Sequence, residues 1–269
     1  MGLASIAVLL IVAGGAIGFH KKTGGITPVS RSDAGATHLA RSIVEGRRNL
    51  VVHSKFVTIP PGGKPVAISQ RKFAGFPRRG RSFAILSTGC APLADNRNKS
   101  HRTSCRNGGV KTKGARDVVI WRIRLRVPRR ANCLSFRFKF LSEEYPEWVG
   151  SEFNDALIAE VHRFPSWNAA GRQDPRIRAP RNFATTRDGN LISVNGTGVA
   201  RVSRRAARGT TYDAATGKLR ASTRVRPGLR LLHISIFDQG DRQYDSTVLI
   251  DRLLVRRAAK CRSGVVRSR

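Results

Sequence analysis

Acidic residues are scarce in this chain, and several common signatures of chemistry are missing altogether. Its 269 residues carry 17 Asp and Glu against 50 Lys and Arg, a formal charge of +33. The four cysteines, Cys90, Cys105, Cys133 and Cys261, contain no CxxC pair, which argues against a zinc ribbon or a thioredoxin-type centre. The six histidines, His20, His38, His53, His101, His162 and His233, show neither HExxH nor HxH spacing. No GxSxG marks a nucleophile elbow, and no Gly-rich loop follows a strand to cradle a phosphate. EF-hand spacing is absent. There is no internal repeat and no long low-complexity tract.

What remains is a globular chain with a basic surplus. Apolar residues make up 40%, and the length suits one large all-β domain or two small ones, either able to bury a core. The surplus has two readings. One is attraction to an anionic partner: nucleic acid, anionic lipid, or an anionic envelope polymer such as a teichoic-acid-like or acidic polysaccharide. The other is solvated charge, which the scatter of Arg and Lys through nearly every segment favours. Aromatic residues lie in core-type strands and are not interleaved for base stacking, so specific nucleic-acid recognition is not expected.

Residues 3–19, LASIAVLLIVAGGAIGF, form an apolar run. It is short for a membrane span of about 20 residues and suits the core of a signal peptide, with small residues at Gly14 and Ala16. A basic segment before it is missing, and His20-Lys21-Lys22 follow it, so an uncleaved anchor is the alternative. Export is expected, to the cell surface or beyond, with membrane contact only through this segment. An even cysteine count then suggests disulfides. Cys90 and Cys105 flank a polar loop that a bridge would staple, and Cys133 with Cys261 would tie a core strand to the tail. Other pairings, and buried free thiols, stay open. The organisation reads as signal peptide or anchor over 1–20, linker over 21–35, a domain over 36–256 and a basic tail over 257–269.

Within the domain nearly every signal is a strand signal. A short helix is expected near 36–44, with Leu39, Ile43 and Val44 on one face. Residues 118–127, VVIWRIRLRV, alternate Trp121, Ile123, Leu125 and Val127 against Arg122, Arg124 and Arg126. Residues 134–140, LSFRFKF, do the same. Runs at 157–161, 191–194, 219–225, 231–237 and 247–255 complete the set, with Gly, Pro and Asn/Asp turns between them. The fold expected is all-β: an antiparallel β-sandwich of jelly-roll or lectin-like type, with a short N-terminal helix and long surface loops. Residues 163–187, rich in Pro and Arg without apolar period, read as a surface insertion.

The few acids are concentrated. Glu143, Glu144, Glu147, Glu152, Asp155 and Glu160 fall in one window, and Asp238, Asp241, Asp245 and Asp251 in another, ten of the 17 in all. Each window begins where a core strand ends. If those two strands are neighbours in one sheet, both loops leave the same end. Crowded carboxylates repel, so a bound cation, a proton or nearby Arg must offset them. Calcium is the candidate cation, because it takes six to eight hard oxygens in flexible geometry. The candidate ligands are Glu143, Glu144, Glu147, Asn154, Asp155, Asp238, Asp241 and Asp245. The plainer reading is salt bridging to the abundant Arg. A pair of carboxylates across a cleft would also serve glycoside hydrolysis, with Glu143 or Glu144 against Glu147 or Asp238, but no spacing selects a pair.

Residues 136–161, FRFKFLSEEYPEWVGSEFNDALIAEV, closely resemble the central motif of choice-of-anchor L domain proteins. Residues 233–250, with Asp238-Gln239-Gly240-Asp241 and Tyr244-Asp245-Ser246, look like the second motif of that family. Ile85-Leu86-Ser87-Thr88-Gly89 looks like its LSTG turn, and weaker likenesses fall at 191–195 and 212–219. The resemblance covers about residues 36–255. It implies an extracellular or cell-surface bacterial domain of adhesion type, without a defined catalytic activity. The carried-over positions are Glu143, Glu144, Glu147, Asn154, Asp155, Asp238, Asp241, Asp245 and Ser246. Calcium at these positions follows from the crowding of acids, not from the family. The chain departs from the pattern in its strong positive charge and in a basic 261–269 segment lacking LPxTG or an apolar tail. The expectation is a non-enzymatic binding module with a divalent-cation site. The alternatives are an exported carbohydrate-active hydrolase and an Arg-rich binder of anionic envelope polymers.

Overall fold

The computed structural model describes residues 25–77, 80–98, 109, 111–170, 176–196, 202–240 and 243–268. The expected signal segment, Cys105 and Asp241 lie outside these. The strands in chain order are β1 (Ile26–Pro28), β2 (Val51–Thr58), β3 (Val66–Ser69), β4 (Phe83–Ser87), β5 (Arg116–Val127), β6 (Cys133–Ser142), β7 (Ala156–Val161) and β8 (Asn168–Ala169). They continue as β9 (Ile177–Arg178), β10 (Ile192–Ser193), β11 (Ala214–Ala215), β12 (Leu219–Arg224), β13 (Gly228–Asp238), β14 (Ser246–Arg256) and β15 (Gly264–Arg267). The α-helix α1 spans Asp33–Ser42.

Two antiparallel sheets form a sandwich. The larger runs β1-β3-β4-β14-β6-β12-β15, with β11 pairing β6, and the smaller runs β10-β7-β13-β5-β2. The alternation read from sequence sets the inner faces. Trp121, Ile123, Leu125 and Val127 of β5 meet Leu134, Phe136, Phe138 and Phe140 of β6 in one buried core. Burying each such Phe is worth roughly 2–3 kcal/mol over leaving it exposed. Arg124 and Arg126 of β5 point to solvent. Helix α1 starts three residues earlier than expected because Ser32 caps it, its side chain accepting from Gly35 N–H, with Asp33 in the first turn. It buries Ala36, Leu39 and Ala40.

Four expectations change. The linker at 21–35 contains β1, which pairs with β3 at the edge of the large sheet, and the first residues of α1. The tail at 257–269 returns as β15 against β12 and is fixed by the Cys133–Cys261 disulfide, one of the pairings foreseen. Cys90 is disulfide-bonded as well. The 163–187 segment is not a free surface insertion. Trp167 stacks on Phe237 at 4.1 Å and donates from Nε1 to Ser235 Oγ, roofing the outer face of the small sheet. One Trp among Arg and Pro has no period, which is why pattern reading passes over it. Lastly, β6 and β13 are not neighbours in a sheet: they belong to opposite sheets.

Candidate functional site

That last difference brings the acidic loops together by another route. The first loop, residues 143–155, leaves β6 in the large sheet and enters β7 in the small one. The second, residues 239–245, leaves β13 in the small sheet and enters β14 in the large one. Since β6 pairs with β14 and β7 with β13, the two crossings run side by side. Ser142 lies opposite Ser246, and Ala156 opposite Phe237.

Backbone groups clasp the crossings to each other. Glu143 N–H donates to Asp245 O at 3.1 Å, and Asp245 N–H donates back to Glu143 Oε2 at 3.2 Å. Gln239 N–H donates to Asp155 Oδ1 at 3.3 Å, and Asn154 N–H to Gln239 O at 3.2 Å. Asp155 N–H points to Glu144 Oε2 at 3.4 Å. Ser142 Oγ accepts from Glu144 N–H at 3.0 Å and so sets the turn out of β6. Asn154 Oδ1 accepts from Asn195 N–H at 2.9 Å, which anchors the chain beyond β10 to the same end.

Two glycines permit the close approach. A Cβ on Gly89 would lie 1.9 Å from Asp245 Oδ2, so the Asp245 carboxylate occupies the space a side chain would need. The neighbouring Thr88 is tied to β14, its Oγ1 accepting from Ser246 N–H at 2.9 Å. Gly240 has φ +109° and presses on Phe153, whose ring meets Trp148 edge-on at 5.0 Å; Trp148 also contacts Tyr244 at 5.9 Å. These three rings pack the two loops against one another.

The end result is a buried concentration of carboxyls. Glu143, Glu144, Asp155, Asp238 and Asp245 are all buried, with Asp155 at 0% exposure and Asp238 at 1%. Among the described residues, neither Asp238 oxygen accepts a hydrogen bond from a fixed donor. Its neighbour is the Asp155 carboxyl, and a hydrogen bond between two carboxyls exists only while one holds a proton. Burial, then the charges of Asp155 and Asp245, then that shared contact and Asp117, push Asp238 well above the usual carboxylate range. Tyr212 is fully buried and hydroxyl-bonded to Thr247. Burial, with the Glu143 and Asp245 charges adding to it, holds its phenol above its ordinary value.

Of the eight expected ligands, Glu143, Glu144, Asn154, Asp155, Asp238 and Asp245 gather here, and all six are buried. Glu147 is not buried with them: it is exposed on the turn after Pro146. Asp241 lies outside the described residues. Pattern reading passed over Asp117, and it gave Gln239, Tyr212 and Gly89 only as parts of the family-like motifs, not as site residues. Asp117 is buried at the head of β5, with φ +44°, and its Oδ1 accepts from Gly109 N–H at 3.1 Å. A signal existed, because it is the one acid between residues 111 and 130, where Lys and Arg abound. Among the described residues, no three His, Cys, Asp or Glu side chains form a group able to hold a metal ion by themselves.

The class defined by these observations is an antiparallel β-sandwich with two paired sheet-crossing loops at one end. No family model matches the chain, and no curated protein does. Among solved structures, the chain is similar to the module TmCBM61, whose structure is of its complex with beta-1,4-galactotriose. That likeness has a TM-score of 0.30 and 10% sequence identity, covering 76% of this chain and 87% of that one.

Proposed function

We propose that the protein is a non-catalytic binding module of the bacterial cell surface or exterior, with a calcium ion held between its two acidic loops. The observation that carries this reading is Asp238: a fully buried side chain with two oxygens that no donor serves, beside further buried carboxyls. Taking such groups out of water costs several kcal/mol each unless something compensates. A cation beside Asp238 would offset that cost for the carboxyls nearest to it. The groups around Asp238 are carboxylate, amide and backbone oxygens, the hard donors that calcium takes in flexible geometry. That is calcium chemistry rather than zinc chemistry. Asp238 and Asp155 would supply charge, Asp245 and Glu143 lie next in line, and Gln239 and backbone carbonyls would complete the set. The resemblance of residues 136–161 and 233–250 to choice-of-anchor L domains supports the extracellular setting and the absence of catalysis.

A second reading rests on the Asp155–Asp238 contact. The two carboxyls share one proton and no ion binds. Thermal melts separate the two. Protein stripped with chelator is melted with and without millimolar calcium, alongside Asp238→Asn. A calcium-dependent rise in Tm that Asp238→Asn removes supports the ion. An Asp238→Asn protein that melts higher than the parent, with calcium without effect on either, supports the shared proton and sinks the ion.

A further inference from the structure

The opposite end of β6 opens into a different kind of cavity. A cleft of about 690 Å³ is bordered by Cys133 and Ser135 of β6, Arg220 and Ser222 of β12, the 260–266 segment and the turn at 185–189. Five cationic side chains line it: Arg187, Arg220, Arg256, Lys260 and Arg262. No Asp or Glu among the described residues does.

This cleft has fixed walls. The Cys133–Cys261 disulfide pins the 260–266 segment to β6. Ser222 Oγ donates to Arg262 O at 2.8 Å, Thr223 and Ser263 hydroxyls pair at 3.0 Å, and Arg224 Nε donates to Cys261 O at 3.1 Å. On the other side Val265 N–H donates to Thr185 O at 2.8 Å, and Thr186 Oγ1 accepts from Asn190 N–H at 3.1 Å to close the turn. Arg220 is the telling group. It lies across from Arg137 on β6, which has Asp251 of β14 on its other side, and among the described residues its Nε is buried with no acceptor. A guanidinium N–H held out of water without a partner is costly unless an acceptor arrives from outside.

We infer that this cleft binds an acidic polysaccharide, with Arg220 at its floor engaging one anionic group and Arg187, Arg256, Lys260 and Arg262 tracking the chain. Carboxylate and sulfate offer the acceptor that a guanidinium fork fits. The hydroxyls of Ser135, Ser222, Ser263 and Thr185 suit a hydroxylated backbone. Among the described residues no aromatic ring lines the cleft, so they offer no platform for the stacking by which single-stranded nucleic acids are gripped. This site is independent of the calcium reading, because it lies at the far end of β6.

The test uses the full chain in chelator, so that the acidic loops contribute no ion. Binding to polygalacturonate (carboxylate), dextran sulfate (sulfate), neutral dextran and double-stranded DNA is measured against salt. Saturable binding to either acidic polymer, well above neutral dextran, is expected. Lys260→Gln/Arg262→Gln, both exposed positions, should weaken it on the order of tenfold and flatten the salt slope by about one to two. Arg220→Gln should act in the same direction. Arg124→Gln/Arg126→Gln removes equal charge from the exposed face of the other sheet and should change affinity less than about threefold. Equal losses in the two double variants would mean diffuse charge and overturn the site. So would DNA binding as tight, with the same residue dependence, or no binding to either acidic polymer.

Discussion

Strand β6 joins two ends of opposite chemistry. Cys133 and Ser135 open onto a cationic cleft, and nine residues along from Cys133, Ser142 leads into a buried nest of carboxyls. At about 3.3 Å per residue Cys133 is roughly 30 Å from Ser142, and Arg220, level with Arg137, roughly 17 Å, both beyond the ~8 Å screening length at physiological salt. Each end therefore sets its own electrostatics. The basic end gathers like charges of which all but Arg220 lie exposed. The acidic end gathers like charges that do not, and burial makes crowding far more costly there. Net charge alone reveals neither arrangement: +33 describes the whole surface, while the acids that matter are hidden within it.

The comparison can be broken at one end at a time. The largest effect is expected at the basic end. Replacing Cys133 and Cys261 by Ser opens a loop that spans 128 residues of sequence and should cost on the order of 4 kcal/mol in denaturant unfolding. The calcium response of the acidic end should survive, provided the variant still folds in cold buffer. Gly89→Ala is the counterpart at the acidic end. Its methyl must displace the Asp245 carboxylate or Gly89 backbone, so a loss of about 2–3 kcal/mol is expected, with the calcium-dependent rise in Tm abolished.

A third prediction sits between the ends. His233 on β13 lies opposite Arg122 and Glu160, and both its ring nitrogens are buried without hydrogen bonds. Burial, with Arg122 and His162 adding to it, lowers its pKa to about 4. The folded state holds it neutral, whereas the unfolded chain takes up a proton below about pH 6.5. Stability should therefore fall as pH drops from 6.5 towards 4, by on the order of 2 kcal/mol from this group. His233→Gln should flatten that part of a chemical-denaturation pH profile without altering calcium or polyanion binding. The smallest effect belongs to Glu147→Gln. An exposed carboxylate outside the cluster should change stability by less than about 0.5 kcal/mol and leave the calcium response intact.

Much of the sandwich was legible because its strands alternate. The period of Trp121, Ile123, Leu125 and Val127, and of Leu134, Phe136, Phe138 and Phe140, marks the inner faces that the structure buries. What pattern missed was short or unusual. Strands β3 and β4 are buried throughout, so their apolar runs carry no alternation. Strand β15 hides in a basic tail, with Val265 as its buried residue. At the site, the clustering of acids pointed to residues that the fold buries together, because like charges close in sequence are visible there. Sequence could not place the loops correctly: their meeting depends on two crossings between sheets, not on neighbouring strands. Asp117, at the head of β5, and Gly89, in the turn after β4, are distant in sequence, and only the fold brings them to Asp238 and Asp245.

Isothermal titration of calcium into chelator-stripped protein tests the central claim most directly. The account predicts saturable binding at one site per chain, absent in Asp238→Asn and unchanged in Glu147→Gln. A parent protein that takes up no calcium, or an Asp238→Asn variant that binds it as tightly, would contradict it.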